Sequence, residues 1–356
     1  MSQHQHQQGY YQPAPQHQQP PGGVDVAHTS GFDFDLSDVR ISSSLPLLDN
    51  QDFLNFYNTY ETQLLELVET NQLDAIGPFW ESQWREASRF SRILDTDDGE
   101  KYCHVRDTFI FQRMLSIILP DVLQRMQPAV TKSIRSFSKR LQPWMHAAVA
   151  ALPPRVAHSK IRTTALFAQR LRRYTGLNHL AQAARDLLAK QHQVAAMNED
   201  FVKIDFNAVA DQLVSMCPSC AKHTVIQLHE EFQHVLRDAA PLESWCSWLQ
   251  SVAHTVLSQQ QQPGSNGVDL AKPAANLCLS WSFLSSQVIR DLTLRSAATF
   301  GMFHLMRLFC DEYMFFLAEH VVSVNTLSNM PRHMRDGGPL RTLGTGPVQQ
   351  GGMSHH

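Results

Sequence analysis

No window of about 18 residues in this chain is free of charged and polar interruption, so nothing in it reads as a membrane-spanning helix. The greasiest span, Leu277 to Val324, is broken by Arg290, Asp291, Arg295, Arg307, Asp311 and Glu312. The N-terminus has no apolar run of the signal-peptide kind. Cysteine is sparse: six residues, at positions 103, 217, 220, 246, 278 and 310, of which five lie in apolar helical stretches. That scatter points to buried, reduced thiols rather than a disulfide frame. An excess of one charge is also missing, and a net charge of −3 selects no partner by itself. Nor do β-branched residues alternate with period two, which removes the support for a sheet. These absences describe a soluble intracellular chain.

What is present is helical. Hydrophobic residues make up 43% of the 356, an ordinary globular share, and the length suffices for one large helical domain or two smaller ones. Residues 1–30 are Gln, His, Pro and Gly with little to bury, so they are expected to be disordered. A weak metal site at His4, His6, His17 and His28 is less favoured than a low-complexity tail. The acidic and apolar alternation Phe32-Asp33-Phe34-Asp35-Leu36-Ser37-Asp38 has two readings, a solvated linker, which is favoured, and a docking or activation peptide. Disorder is expected over 1–48 and again over 327–356. Between the tails, helices are predicted over 50–70, 73–90, 100–126, 129–151, 155–175, 177–197, 206–217, 220–238, 241–259, 273–294 and 296–325. Gly77-Pro78, Pro120, Pro128, Pro153-Pro154, Gly176, Pro218, Pro241 and the loop 259–267 punctuate them. The fold class is therefore all-α, a multi-helix bundle with disordered ends.

Leu277, Trp281, Leu284, Val288 and Leu292 step by helical intervals and form one apolar stripe. The helix after it is apolar nearly all round, with Phe300, Met302, Phe303, Leu305, Met306, Leu308 and Phe309. Such a helix needs cover on several sides, from its own domain or from a second copy.

Charge is segregated. Val122 to Arg185 holds twelve Lys and Arg and no Asp or Glu, whereas Phe32 to Glu100 holds fifteen acids against four arginines, a net of −11. On a continuous helix Arg155, Arg162, Arg170 and Arg173 fall within roughly 80° of one another. Acidic first helices lying across basic middle ones is the favoured reading. The alternative is a basic face over 122–185 aimed at nucleic acid.

Catalytic patterns fail on spacing. His229-Glu-Glu-Phe-Gln-His234 places its histidines five apart, about 140° round a helix, where a zinc protease needs four. Cys217-Pro-Ser-Cys220 with His223 is at most half a zinc site, and no strand precedes it as in redox motifs. No phosphate-binding glycine loop, dinucleotide turn or nucleophile elbow occurs. An enzyme is not expected, nor any bound cofactor or metal.

Two long segments carry a resemblance. One runs Phe167-Ala-Gln-Arg-Leu-Arg-Arg-Tyr-Thr-Gly-Leu-Asn-His-Leu-Ala-Gln-Ala-Ala-Arg185. The other runs Trp281-Ser-Phe-Leu-Ser-Ser-Gln-Val-Ile-Arg-Asp-Leu-Thr-Leu-Arg-Ser-Ala-Ala-Thr-Phe-Gly-Met-Phe-His-Leu-Met-Arg-Leu, with Asp311-Glu-Tyr-Met-Phe-Phe-Leu-Ala-Glu-His320 following. Both closely resemble the C-terminal region of the regulatory factor X (RFX) transcription factors, and weaker similarity extends the match to about 49–322. The resemblance implies B- and C-type blocks over 49–240 and a dimerisation block over 241–326. It implies a nuclear transcription regulator that pairs with itself or other RFX proteins and engages transcription cofactors. Leu277, Trp281, Leu284, Val288, Leu292, Phe300, Phe303 and Leu308 become candidate dimer contacts. The family's winged-helix reader has no counterpart in residues 1–48, so DNA is expected to be reached only indirectly, through a partner.

Overall fold

In a computed structural model, residues 50–217, 220–259 and 270–328 are described. The expected tails (apart from residues 327 and 328, which the last helix includes), the Phe32–Asp38 segment, Pro218 and the 260–267 part of the loop lie outside them. No strand occurs among the described residues.

The helices are α1 (Gln51–Glu69), α2 (Ile76–Glu86), α3 (Ser91–Leu94), α4 (Asp97–Ile118), α5 (Pro128–Ala148), α6 (Pro154–Leu188), α7 (Gln191–Phe201), α8 (Phe206–Met216), α9 (Lys222–Arg237), α10 (Leu242–Gln259), α11 (Ala271–Leu294) and α12 (Phe300–Ser328). Short 3₁₀ turns at Leu73–Ala75 and Ala87–Phe90 flank α2. Local chemistry sets many of the starts. Asn50, Thr96 and Asp205 cap α1, α4 and α8 by accepting from first-turn amides. Pro128 and Pro154 occupy first positions, where a missing N–H costs nothing.

Three boundaries depart from the sequence reading. The helix expected over 100–126 ends at Ile118, because Pro120 forces Leu119 out of the helical region (φ −131°, ψ 69°). Side chains of α6 then satisfy the loop: Asn178 Nδ2 donates to the carbonyls of Val122 (2.9 Å) and Gln124 (2.6 Å), and Gln182 Nε2 to that of Leu123 (2.9 Å). The break expected at Gly176 does not occur, and α6 runs unbroken for 35 residues. A lone glycine weakens a helix without ending it, and here packing on both sides of the site supplies what propensity lacks. Gly77-Pro78 likewise falls inside the first turn of α2 rather than ending a helix.

The long α6 is the spine, packing against α4, α5, α10 and α12. At its N-terminal end Lys160 is 1% exposed. Its Nζ donates to Asp107 Oδ2 on α4 (2.6 Å) and to Tyr57 Oη on α1 (2.7 Å), and sits 3.5 Å from the centroid of the Trp84 ring. Tyr57 Oη donates in turn to Asp107 Oδ1 (2.8 Å). An aromatic shell of Phe53, Phe56, Tyr60 and Tyr102 excludes water around it. Burial and the Asp107 carboxylate push the Tyr57 hydroxyl well above its usual range, which keeps it a donor.

At its C-terminal half α6 meets α12. Glu319, 7% exposed, accepts from Arg173 Nη1 (2.9 Å) and Tyr174 Oη (2.7 Å), with Arg170 Nε at 3.8 Å. These bonds, together with Arg185–Glu243 (2.6 Å), cross the 240/241 position where the sequence was divided.

Substituting the glycines gives opposite signs. A Cβ on Gly176 meets nothing within 4 Å, so Gly176→Ala is expected to raise stability by about 0.5–1 kcal/mol. A Cβ on Gly99 lands 2.0 Å from the Ile93 carbonyl oxygen, so Gly99→Ala is expected to lower it. Urea melts read both. Lys160→Met alone strands Asp107 and is expected to cost about 3–5 kcal/mol in the same assay. Most of that loss should return in the double variant Lys160→Met/Asp107→Leu.

Candidate interaction site

Helices α11 and α12 form an antiparallel hairpin closed at 295–299. The register is fixed by Asp311, whose carboxylate accepts from Trp281 Nε1 (2.8 Å), Ser285 Oγ (3.3 Å) and Arg307 Nε (3.2 Å). Arg307 Nη2 also donates to Ser286 Oγ (2.8 Å). Burial pushes the Asp311 carboxyl up, and Arg307, Ser285 and Trp281 oppose that rise. At the hairpin's tip, Asp200 Oδ2 accepts from Thr299 Oγ1 (2.7 Å) and ties α7 to the start of α12.

The predicted contact residues do not share one environment. Leu277, Trp281, Leu292 and Phe303 are buried within the chain itself. Leu284 and Val288 are half-buried and line an apolar cleft of about 70 Å³ between α11, α12 and the α7–α9 layer. Phe300 and Leu308 alone of the eight are exposed, at 37% and 40%. They lie on one side of α12 with exposed His304 between them, since residues four and eight apart turn by about 40° and 80°. The nearly all-round apolar α12 is thus covered mostly by its own chain, and one stripe stays open.

The sequence reading missed three exposed apolar residues nearby: Leu279 and Leu294 on α11 and Val202 after α7. Leu279 was overlooked because the stripe through Leu277 and Trp281 claims the opposite side of that helix.

The cleft contains one polar irregularity. His229 stacks on Phe206 with ring centroids 3.8 Å apart, and its buried Nδ1 has no hydrogen-bond partner. Burial holds its pKa below the ordinary histidine value. His320 on α12 is lowered for the same reason.

The four arginines proposed as a basic face are dispersed by their partners. Arg155 pairs with Asp97, Arg170 and Arg173 with Glu319, and Arg173 also with Glu312 (3.8 Å). Arg162 is exposed on α6. Complementarity is therefore internal for most of the set, but Arg170 and Arg173 find their acids on the last helix, not the first ones. Cys217 and Cys220 are half-buried against a small apolar cluster of Ala210, Leu213 and Val225. Among the described residues no group of three or more His, Cys, Asp or Glu is placed to hold a metal ion. Cys103, Cys246, Cys278 and Cys310 are buried, and burial pushes the first three thiols to about 11, 12 and 12. Among the described residues no helix is long and apolar enough to cross a membrane.

The family profile of the RFX BCD domain matches residues 53–325. The chain is similar to transcription factor RFX3 of Danio rerio, 36% identical over 295 residues, covering 76% of this chain and 38% of that protein. It is similar to DNA-binding protein RFX2 of Bos taurus, 34% identical over 355 residues, covering 92% and 49%. DNA-binding protein RFX2 of Xenopus tropicalis is 34% identical over 328 residues, covering 85% and 46%. The chain thus spans about half or less of the length of these relatives. No solved structure matches it.

The two half-buried histidines set a pH dependence. Their folded-state pKa values lie below the unfolded value, so the unfolded chain binds more protons as pH falls. Stability from this source is present at neutral pH and is lost as pH falls below about 6.5 through the folded values. Melting temperature is expected to drop over that range, and less steeply in His229→Phe and His320→Phe. Parallel curves for wild type and both variants would refute the assignment.

Proposed function

This chain belongs to the RFX family, and from that premise we propose that its helical region is an assembly module of a nuclear transcription regulator. In this reading two chains pair, as homodimers or with other RFX-family proteins, through α11 and α12. The remaining surface engages transcription cofactors. The work is binding and positioning, not catalysis.

The observation that carries the pairing is the open stripe of α12. Phe300 and Leu308 are exposed on a helix whose other apolar residues are largely buried, inside the segment matched by the BCD profile. Contiguous exposed apolar patches rimmed by polar residues mark protein–protein contact sites. Leu279, Leu294 and Val202 add apolar area near the same hairpin. Of the other predicted contacts, Leu284 and Val288 border the cleft. Leu277, Trp281, Leu292 and Phe303 act from beneath, by holding the hairpin in shape.

That division makes the test sharp. Phe300→Asp/Leu308→Asp changes exposed positions, so the chain is expected to stay folded while its dimer dissociates by sedimentation equilibrium. Phe303→Asp places a charge in the core and is expected to unfold the hairpin. A wild-type chain that sediments as a monomer at tens of micromolar would overturn the proposal. So would a dimer indifferent to the Phe300/Leu308 pair.

A further inference from the structure

The fold sorts the basic middle of the chain into two groups. Carboxylates from elsewhere reach Arg140, Arg155, Lys160, Arg170, Arg173 and Arg185, by way of Asp74, Asp97, Asp107, Glu319 and Glu243. Arg125, Lys132, Arg135, Lys139 and Arg172 have no such carboxylate among the described residues, and of these Lys132, Arg135 and Lys139 share one helix. All three are exposed on α5, and no carboxylate of a described residue pairs with them.

Their placement is regular. Steps of three and four residues keep them within about 60° of one another along roughly 10 Å of helix. Exposed Ser136 lies beside the row, about 40° from Lys132, and His146 continues it. The whole of α5 contains no Asp or Glu. Like charges three and four residues apart repel and weaken a helix. Over about 10 Å, one Debye length at 0.1 M salt, that repulsion is only partly screened. An anion laid along the row would remove it.

Two kinds of anion could do so, and the composition of the face distinguishes them. Protein interfaces are centred on apolar and aromatic side chains. The outer face of α5 has Val130 as its one large exposed apolar residue, at 45%. Cations beside a hydroxyl are instead the side chains that grip phosphate oxygens. We infer that the outer face of α5 is a docking stripe for the phosphate backbone of nucleic acid, gripped by Lys132, Arg135 and Lys139 and indifferent to base sequence. The stripe serves a monomer as well as a dimer, so it stands apart from the pairing through α12.

Fluorescence anisotropy of the full chain with a labelled DNA duplex of arbitrary sequence tests this. Three phosphate contacts at a slope of about 0.9 each predict roughly a 40-fold loss of affinity between about 50 and 200 mM salt. The triple variant Lys132→Gln/Arg135→Gln/Lys139→Gln is expected to lose both the binding and the salt slope, while it melts no lower than wild type, since the repulsion goes with the charges. Lys222→Gln on α9 is expected to bind as wild type does. No binding at about 50 mM salt, or a triple variant that binds unchanged, overturns the inference. So does displacement of the duplex by a peptide of residues 32–38 at equal charge concentration, which would make the stripe's partner an acidic protein segment.

Discussion

A lysine ammonium with almost no access to water can exist only where every one of its protons has an acceptor, and the N-terminal half of this fold is arranged around that requirement. Lys160 on α6 is served by Asp107 on α4, Tyr57 on α1 and the face of Trp84 on α2. Four helices therefore meet at one charge. Removing water from two ions is expensive, and the Coulomb attraction recovers it only when geometry is good and the remaining lone pairs are filled. Both Asp107 oxygens are filled, one by Lys160 and one by Tyr57. Such a cluster adds little net stability compared with an apolar core, but it penalises any other register of α1, α4 and α6.

The same helix carries that order to the other end of the molecule. Glu319 meets Arg173 and Tyr174 on α6, which sets the height of α12 against the spine. Ring contact between Tyr174 and Phe316, with centroids 5.0 Å apart, packs beside it. Asp311 then fixes α11 against α12, and Asp200 pins the tip of the hairpin to α7. The open side of α12 is thus presented by a hairpin held at three places, a rigid support that costs a partner little ordering entropy.

Charge has a second use. Six of the twelve cations between Val122 and Arg185 bind acids from distant parts of the chain, which knits the bundle together. Individually the exposed pairs, such as Arg155 with Asp97, contribute little. Their collective effect is subtractive: once they are paired, the row of three on α5 is the largest set of solvent-facing cations without a described carboxylate partner on one helix.

The sequence by itself determined the all-α class, most helix positions and the family. Apolar periodicity, capping residues and proline act within a few positions of themselves, so they are visible in a linear chain. The Pro128 and Pro154 starts and the stripe from Leu277 to Leu292 are of that kind. Gly176 misled because its cost, about 1 kcal/mol, is small beside the packing that α6 gains along its length. Only the tertiary structure decided which of the eight candidate contacts are free. Phe303 and Leu308 look alike in sequence, yet one is 3% exposed and the other 40%. It also decided which cations remain unpaired, because Glu319 reaches Arg173 across 146 positions. Burial and long-range ion pairing depend on what the rest of the chain brings to a residue, and no local pattern records that.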